Sequence, residues 1–193
     1  MNLSYTMPVA ETASTFNETV IMNAAIAEAD DAGKIALIES QLQDTTQIIC
    51  DIYSRFLFES AVFEQRKEKF MFPDELCRIM TEAQEKAYGD GLAKETLHPY
   101  MWVCKSHYYR AGLSFYNFPY AFGDLFALGL YSLFEKEGES FVEKYNALLN
   151  ATATCTAEEA GKMVGIDLTD KAFWKAGLDQ IAKKVEAFKS LDA

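Results

Sequence analysis

Histidine and cysteine are scarce in this chain. Their spacing argues against a zinc site of the His-Glu-x-x-His type and against a metal site built from paired cysteines. The two histidines are His98 and His107, and no His-Glu-x-x-His sequence, which would place two metal ligands on one helix face, is present. The four cysteines include no Cys-x-x-Cys pair. Their spacing therefore favours free thiols over a local metal site or a disulfide scaffold.

Positive charge and long apolar runs are lacking as well. The chain has 18 Lys and Arg against 29 Asp and Glu, a net charge of -11, which argues against nucleic acid and anionic membranes as partners. The apolar runs are far shorter than the ~18 residues typical of a membrane span. The first residues do not have the pattern of a secretory signal. These features predict a soluble, cytoplasmic protein.

The apolar residues that are present recur at helical spacing. Hydrophobic residues make up 50% of the chain and aromatic residues 13%, enough for a substantial core. Apolar positions from Ile35 to Phe63 recur at steps of three and four residues, which predicts one long amphipathic helix. We predict an all-α protein with a single multi-helix domain over residues 1–193. Capping and breaking residues place its helices at about 8–29, 31–68, 73–89, 115–136 and 138–149, with later helices capped by Thr156 and by Thr169 or Asp170.

The segment over residues 107–123, HYYRAGLSFYNFPYAFG, carries the most chemical information. It contains one histidine and four tyrosines, and each buried tyrosine needs a hydrogen-bond partner for its hydroxyl. Such a cluster indicates a polar, shaped pocket. An aromatic-rich helix packed into a core is the alternative that the spacing alone leaves open.

This segment closely resembles the substrate-binding stretch near the C-terminus of the oligoendopeptidase F branch of the thimet oligopeptidase family. Residues 9–18, VAETASTFNE, resemble the family's helix that carries the third zinc ligand, and residues 164–174, VGIDLTDKAFW, resemble its closing helices. The resemblance covers nearly the whole chain, with the motifs in family order. It implies the C-terminal part of a helical, zincin-like catalytic domain. The implied activity is that of a zinc metalloendopeptidase that cleaves internal bonds of oligopeptides inside cells.

The resemblance also implies roles for residues of a substrate-binding segment over about 98–136. His107 would lie near the substrate. Tyr108 and Tyr109 could line a peptide groove, and half-buried aromatic packing fits these two residues equally well. Peptide hydrolysis develops negative charge on the former carbonyl oxygen, and a phenol hydroxyl can stabilise that oxyanion. The resemblance implies that this donor is Tyr116 or Tyr120. Tyr116 has the family's spacing from His107 and Tyr120 lies in the core of the motif, so the choice stays open.

In the segment over residues 9–18, the resemblance implies that Glu11 is the third zinc ligand. A zinc peptidase needs three protein ligands and an open position for water. Taken alone, a glutamate in a first helical turn is usually explained by its favourable interaction with the helix dipole. Glu18 lies two turns further on, on the same helix face. It could support the ligand or form a salt bridge, and a solvated carboxylate fits the pattern equally well.

The chain departs from the family at the metal site, because the helix that supplies two zinc ligands and the general base is absent from its sequence. We therefore expect a C-terminal portion that is inactive alone, binds zinc weakly or not at all, and has an N-terminal catalytic half as its partner. Apolar surface that this half would cover should drive self-association into a homodimer or oligomer. A non-catalytic helical module that binds peptides or another protein is the alternative. A ferritin-like di-metal bundle is a third interpretation, but Glu95 and His98 form only one of the two Glu-x-x-His steps that it needs.

Overall fold

The computed structural model describes residues 7–9 and 11–191, and every regular element in this part of the chain is helical. No strand occurs within these ranges, so the predicted all-α fold is confirmed. None of the helices in the described part combines the length and apolarity that crossing a bilayer requires. The α-helices are α1 (Thr12–Glu28), α2 (Asp31–Thr46), α3 (Ile52–Gln65), α4 (Pro73–Tyr88), α5 (Phe118–Glu137), α6 (Ser140–Ala151), α7 (Ala157–Met163) and α8 (Lys171–Leu191).

Several helix ends lie where capping residues predicted them. The α4 helix begins after Phe72, whose N–H donates to the Glu75 carboxylate over 3.1 Å. It ends before Gly89, whose φ of 58° breaks the right-handed helix. Before α7, the Thr156 N–H donates to the Glu159 carboxylate over 2.8 Å, and the Glu159 N–H donates back to the Thr156 hydroxyl over 3.2 Å. The predicted capping box is therefore confirmed.

The first helix begins later than predicted. Glu11 has φ -94° and ψ 0°, outside the helical range, so the α-helix starts at Thr12. Pro8 lies instead in a separate 3-10 turn, Met7–Val9. The predicted start also includes Ala10, which lies outside the described residues.

The predicted helix over residues 31–68 is interrupted by a π-helical turn, Gln47–Asp51, between α2 and α3. The residues that flank this turn keep helical dihedral angles, so no loop intervenes. A π turn inserts one residue and rotates the face that the following side chains present. Phe56 and Phe63, which belong to the predicted apolar pattern, are 47% and 49% exposed.

The sequence left Thr169 and Asp170 as alternative caps of the last helix, and the structure distinguishes them. Asp170 caps α8, because its Oδ1 accepts the N–H two residues further on over 2.8 Å. The Thr169 hydroxyl donates to Asp167 instead, over 2.7 Å. Further along α8, a Cβ added at Gly177 would lie 2.9 Å from the carbonyl oxygen of Leu125 in α5. The two helices approach so closely there that only glycine fits without a shift.

The chain divides into two compact units, which are described separately. The discontinuous unit comprises Met1–Thr45 and Pro119–Ala193, and the continuous unit comprises Thr46–Phe118. In the discontinuous unit, aromatic and aliphatic side chains from α1, α5 and α6 form the core, with Phe16 stacked on Tyr145 at 4.3 Å between ring centroids. In the continuous unit, α3 packs against α4 around Phe58, Met71, Ile79, Met80 and Ala83.

In the continuous unit, Gln84 anchors the loop that follows α4. Its side-chain amide, which is buried, donates to the backbone oxygen of His98 over 3.0 Å. Its carbonyl oxygen accepts the His98 N–H over 3.0 Å. This two-way contact fixes the beginning of the segment that leads to the 3-10 turns Met101–Cys104 and Ser106–Tyr109.

Asp124 is a charged side chain inside the discontinuous unit. It is 8% exposed, and its Oδ2 has no hydrogen-bond partner among the described residues. Burial raises the pKa of Asp124 to about 6, against a lowering contribution from the positive charge of Lys184 and with a further raising contribution from Glu18. Burial also lowers the pKa of Lys184. Ionising Asp124 is therefore less favourable in the folded unit than in water.

We expect Asp124→Asn to remove part of the pH dependence of stability. Because the folded pKa lies above the roughly 3.9 of an unfolded chain, this carboxyl stabilises the fold fully below about pH 4. That contribution is lost as the pH rises through about 6. Urea unfolding should give similar stabilities near pH 4, with the variant up to about 2 kcal/mol more stable than wild type at pH 7.

The exposed Asp179, which pairs with Lys175 on the surface of α8, supplies the control variant Asp179→Asn. Its stability should follow the wild-type curve with pH. If Asp124→Asn also follows that curve from pH 4 to 7, then Asp124 is not the buried acid that the structure indicates.

Candidate functional site

In the continuous unit, a chain of polar contacts links His107 to α3 and to the π turn before α3. His107 lies in the 3-10 turn Ser106–Tyr109, and its Nε2 is 2.7 Å from Nδ2 of the buried Asn117. The Asn117 Oδ1 accepts from Nη1 of Arg55 over 3.1 Å. Arg55 in turn forms an ion pair with Asp51, four residues earlier. The position of the imidazole therefore depends on side chains that lie 52 and 56 residues away in sequence.

These contacts decide which nitrogen of His107 carries a proton. A guanidinium can only donate, so the amide oxygen of Asn117 must face Arg55 and the amide NH₂ must face His107. Nε2 of His107 must then accept, which leaves the proton on Nδ1 of a neutral imidazole. Burial lowers the pKa of His107, and the positive charges of Arg55 and Lys105 lower it further. Electrostatics thus favour the neutral imidazole, and the contact with Asn117 selects its Nδ1–H tautomer.

Glu59 secures an unusual backbone conformation just before Asn117. Phe115 has a φ of 56°, the one positive φ of a non-glycine residue in the described part of the chain, and such a conformation costs roughly 1–3 kcal/mol. The Phe115 N–H donates to Oε1 of the buried Glu59 over 2.7 Å. Burial raises the pKa of Glu59, and the bond from Phe115 lowers it in part. This reversal of the backbone explains why α5 begins at Phe118 and not at the predicted residue 115.

Asp51, Arg55 and Glu59 form a polar stripe that the sequence analysis missed. They are spaced four residues apart, so they share one face of the helical run. Three charged residues at this spacing among apolar ones are a signal that could have revealed a polar contact on this face. Asn117 had no comparable signal, because its partners His107 and Arg55 lie 10 and 62 residues away.

A pocket of about 240 Å³ lies beside His107 in the continuous unit. Apolar side chains of α3, among them Phe58 and Val62, form part of its wall. His107 and Tyr108 line the same pocket, so two of the three residues predicted to bind substrate come together there. The charged residues of its wall are Glu59, Arg66 and Arg110.

A second pocket of about 220 Å³ shares Tyr108 and Arg66 with the first, and the third predicted substrate-binding residue, Tyr109, lines it. The Tyr108 hydroxyl is buried and has no hydrogen-bond partner within the described ranges. Burial raises the pKa of Tyr108 well above its ordinary value, and the negative charge of Glu59 adds to this effect. Tyr108 therefore keeps a neutral phenol, and its side chain lines both pockets. Tyr109 is 61% exposed, and its hydroxyl contacts the Trp102 carbonyl oxygen at 3.5 Å.

The two tyrosines considered for the oxyanion belong to different units. Tyr116 is half-buried in the continuous unit, and its ring centroid lies 5.8 Å from that of His107. Tyr120 lies in α5, in the discontinuous unit, and is 37% exposed. Tyr116 therefore lies close to His107. The choice of oxyanion donor between Tyr116 and Tyr120 stays open.

Glu11 is exposed and lies directly before α1 in the discontinuous unit. The Ser14 hydroxyl donates to Oε2 of Glu11 over 2.9 Å. A Cβ added at Gly123, the last residue of the aromatic segment, would lie 3.6 Å from the Glu11 Cβ. Glu18 is exposed on α1, and its charge acts on Asp124. The aromatic segment therefore ends beside the predicted metal ligand.

Within residues 7–9 and 11–191, no three His, Cys, Asp or Glu side chains lie close enough together to hold a metal ion. Glu11 belongs to no such group, so a zinc ion bound to its carboxylate would need its further ligands from elsewhere. His98 is exposed in the loop after α4. Glu95 and His98 are not joined by a third possible metal ligand in the described part of the chain.

We predict that Asn117→Asp raises the pKa of His107. A carboxylate can only accept, so it favours a proton on Nε2 and stabilises the imidazolium. In wild type, ¹⁵N–¹H NMR should show the Nδ1–H tautomer and a pKa below the roughly 6.5 of a free histidine. In the variant the pKa should rise by about 1 or more.

The chain has two histidines, so His98→Gln leaves a single imidazole to follow in that experiment. A His107 signal with the Nε2–H tautomer in wild type would contradict the derived proton position. So would a pKa that is the same with asparagine and with aspartate at position 117.

Comparison with known proteins identifies a family whose members resemble this chain in sequence and in fold. The sequence profile of Peptidase family M3 matches residues 1–180. The chain is 25% identical over 189 residues to the oligoendopeptidase F homolog of Borreliella burgdorferi, covering 93% of this chain and 32% of that protein. The crystal structure of oligoendopeptidase-F from Enterococcus faecium has a TM-score of 0.84 at 21% identity, covering 97% of this chain and 36% of that one. A solved protein from Chlamydophila abortus has a TM-score of 0.86 at 20% identity, covering 98% and 32%.

These similarities confirm the resemblance that the three motifs predicted. The two solved structures support the helical fold, since their sequence identity is too low to carry more than that. The chain spans about a third of the length of the relatives it matches. Because the family profile covers most of the sequence, the chain belongs to Peptidase family M3.

Proposed function

We propose that this chain is part of a zinc-dependent metalloendopeptidase that hydrolyses internal bonds of oligopeptides. The observation that carries the proposal is the pocket lined by His107, which the family resemblance places near the substrate, and by Tyr108. Its apolar wall suits a peptide side chain, and its few polar groups can fix the orientation of the peptide. Membership of a peptidase family supports the class of reaction.

In this proposal His107 acts as a neutral hydrogen-bond donor. Asn117 occupies Nε2, so the Nδ1–H is the group that can meet a peptide carbonyl oxygen. A donor aimed at the oxygen where negative charge develops stabilises the transition state, and more so where water is excluded. Tyr116 or Tyr120 supplies a phenol for the same oxyanion, while Tyr108 and Tyr109 contact the peptide.

Glu11 is the proposed zinc ligand of this chain, and Glu18 the carboxylate that supports it from α1, the helix that Glu11 directly precedes. Bound zinc would polarise the scissile carbonyl and lower the pKa of a water molecule. Two histidine ligands and the general base would come from a His-Glu-x-x-His helix on a catalytic partner half. The Ser14 hydroxyl keeps the Glu11 carboxylate in one orientation.

The proposed partners are therefore an oligopeptide and that catalytic half, in the cytoplasm. A net charge of -11 disfavours nucleic acid and anionic membranes. Without the catalytic half, the chain would form homodimers or oligomers through exposed side chains of α1 and of the segment over residues 107–123, such as Ile21 and Tyr109, which are 66% and 61% exposed.

A non-catalytic peptide-binding module is the second candidate. The pocket beside His107 is formed by residues 58–114 of the continuous unit alone, and Glu11 is not among them. Peptide binding in this pocket does not need the metal. The two candidates differ in whether the chain, joined to its catalytic half, turns substrate over.

By itself, the 193-residue chain should not hydrolyse peptides. A single glutamate cannot hold catalytic zinc, and the sequence has no His-Glu-x-x-His base. The purified chain is incubated with a quenched fluorescent peptide and excess zinc. Chelator-sensitive turnover that follows the chain through purification would contradict this expectation.

In the enzyme assembled with its His-Glu-x-x-His half, Tyr116→Phe and Tyr120→Phe should separate two roles. Loss of the oxyanion donor should lower kcat by ~10²–10³-fold with little change in KM. Loss of a tyrosine that only binds substrate should raise KM instead. The exposed Tyr100 supplies the control variant Tyr100→Phe, and wild-type kinetics in all three variants would remove both tyrosines from the mechanism.

A further inference from the structure

The arginines of this chain fall into two groups. There are four of them, and Arg55 and Arg78 form ion pairs with Asp51 and Glu82. Arg66 and Arg110 have no ion pair in the described part of the chain, although Glu64 and Glu68 flank Arg66 in sequence. Both of these side chains line the pocket beside His107.

Backbone position explains how two distant arginines reach one pocket. Arg66 directly follows α3, and its N–H donates to the Val62 carbonyl oxygen over 3.0 Å. Arg110 directly follows the 3-10 turn of His107, and its N–H donates to the His107 carbonyl oxygen over 3.2 Å. The backbone of each arginine is therefore held by a hydrogen bond, while each side chain remains exposed.

The one carboxylate of the pocket wall does not neutralise Arg66 and Arg110. Glu59 is the carboxylate of its wall, and Oε1 of Glu59 accepts the Phe115 N–H over 2.7 Å. No ion pair links Glu59 to either arginine. With two guanidinium groups and one carboxylate, the charged side chains of the wall sum to a positive value in a chain whose net charge is -11.

We propose that this pocket binds a carboxylate group of a peptide through Arg66 and Arg110. A guanidinium matches a carboxylate with two parallel N–H donors, which makes arginine the preferred side chain for this recognition. The wall formed by Phe58, Val62 and Tyr108 receives the apolar part of the same residue. At about 240 Å³ the pocket is smaller than the roughly 300–1,000 Å³ of sites for drug-sized ligands, so it suits one residue of a peptide.

The inference rests on the proposed function only in taking the ligand to be a peptide. The carboxylate has two possible sources, the C-terminus of the peptide or an Asp or Glu side chain. Three blocked dipeptides distinguish them: N-acetyl-Leu-Phe as the free acid, the same dipeptide as its amide, and N-acetyl-Phe-Glu-amide. Binding of each to the 193-residue chain is measured by calorimetry or NMR titration, without zinc and without hydrolysis.

The free acid should bind about 5- to 10-fold more tightly than its amide at low salt, and the difference should shrink at high salt. Equal binding of the Glu-amide and the free acid would assign the site to either source of carboxylate. Preference for the free acid alone would assign it to the peptide C-terminus, and preference for the Glu-amide alone to acidic side chains.

The double variant Arg66→Gln/Arg110→Gln should lose the preference for carboxylate, while Arg66→Lys/Arg110→Lys should retain part of it. Arg78→Gln is the matched control, because Arg78 lies in the same unit, is exposed and does not line the pocket. Arg66 and Arg110 are exposed and unpaired, so these variants should fold, which circular dichroism checks.

Equal affinity for acid and amide in wild type, a preference that survives in the double glutamine variant, or no measurable binding of any dipeptide would overturn the proposal. These results are independent of catalysis. A chain that prefers carboxylate yet shows no turnover with its catalytic half would contradict the proposed enzyme and leave this binding site in place.

Discussion

The geometry around His107 depends on three charged side chains of one helical run. Asp51 orients Arg55, Arg55 orients the Asn117 amide, and the amide determines which nitrogen of the imidazole is protonated. One turn further on, Glu59 secures the positive φ of Phe115. Both contacts act on residues 115–117, so the polar stripe and the aromatic segment form one interdependent structure.

Buried charge is compensated differently in the two units. In the continuous unit the charges of the polar stripe are paired with a guanidinium, an amide or a backbone N–H, which offsets the cost of removing them from water. In the discontinuous unit Asp124 keeps one oxygen without a partner in the described part of the chain, and its pKa is raised to about 6. The paired charges shape a pocket wall, whereas Asp124 makes the stability of its own unit sensitive to pH.

Local sequence rules predicted much of the backbone. The capping box at Thr156, the stop at Gly89 and the helical content all follow from interactions within a few residues, and the structure agrees with each of them. The predicted single helix over residues 31–68 is interrupted, because periodicity assumes an uninterrupted α-helix and the π turn at Gln47–Asp51 breaks that assumption. The predicted start of α5 was early for a similar reason, since nothing local in the sequence requires a positive φ at Phe115.

The sequence by itself determined the fold class, the family motifs and the residue types of the candidate site, because each depends on composition and short-range order. It also singled out His107 and Tyr108, which line one pocket. Only the tertiary structure decided the proton position on His107 and the convergence of Arg66 and Arg110 on that pocket. These properties arise from contacts between residues that lie tens of positions apart, and no periodicity or capping rule relates such residues before the chain has folded.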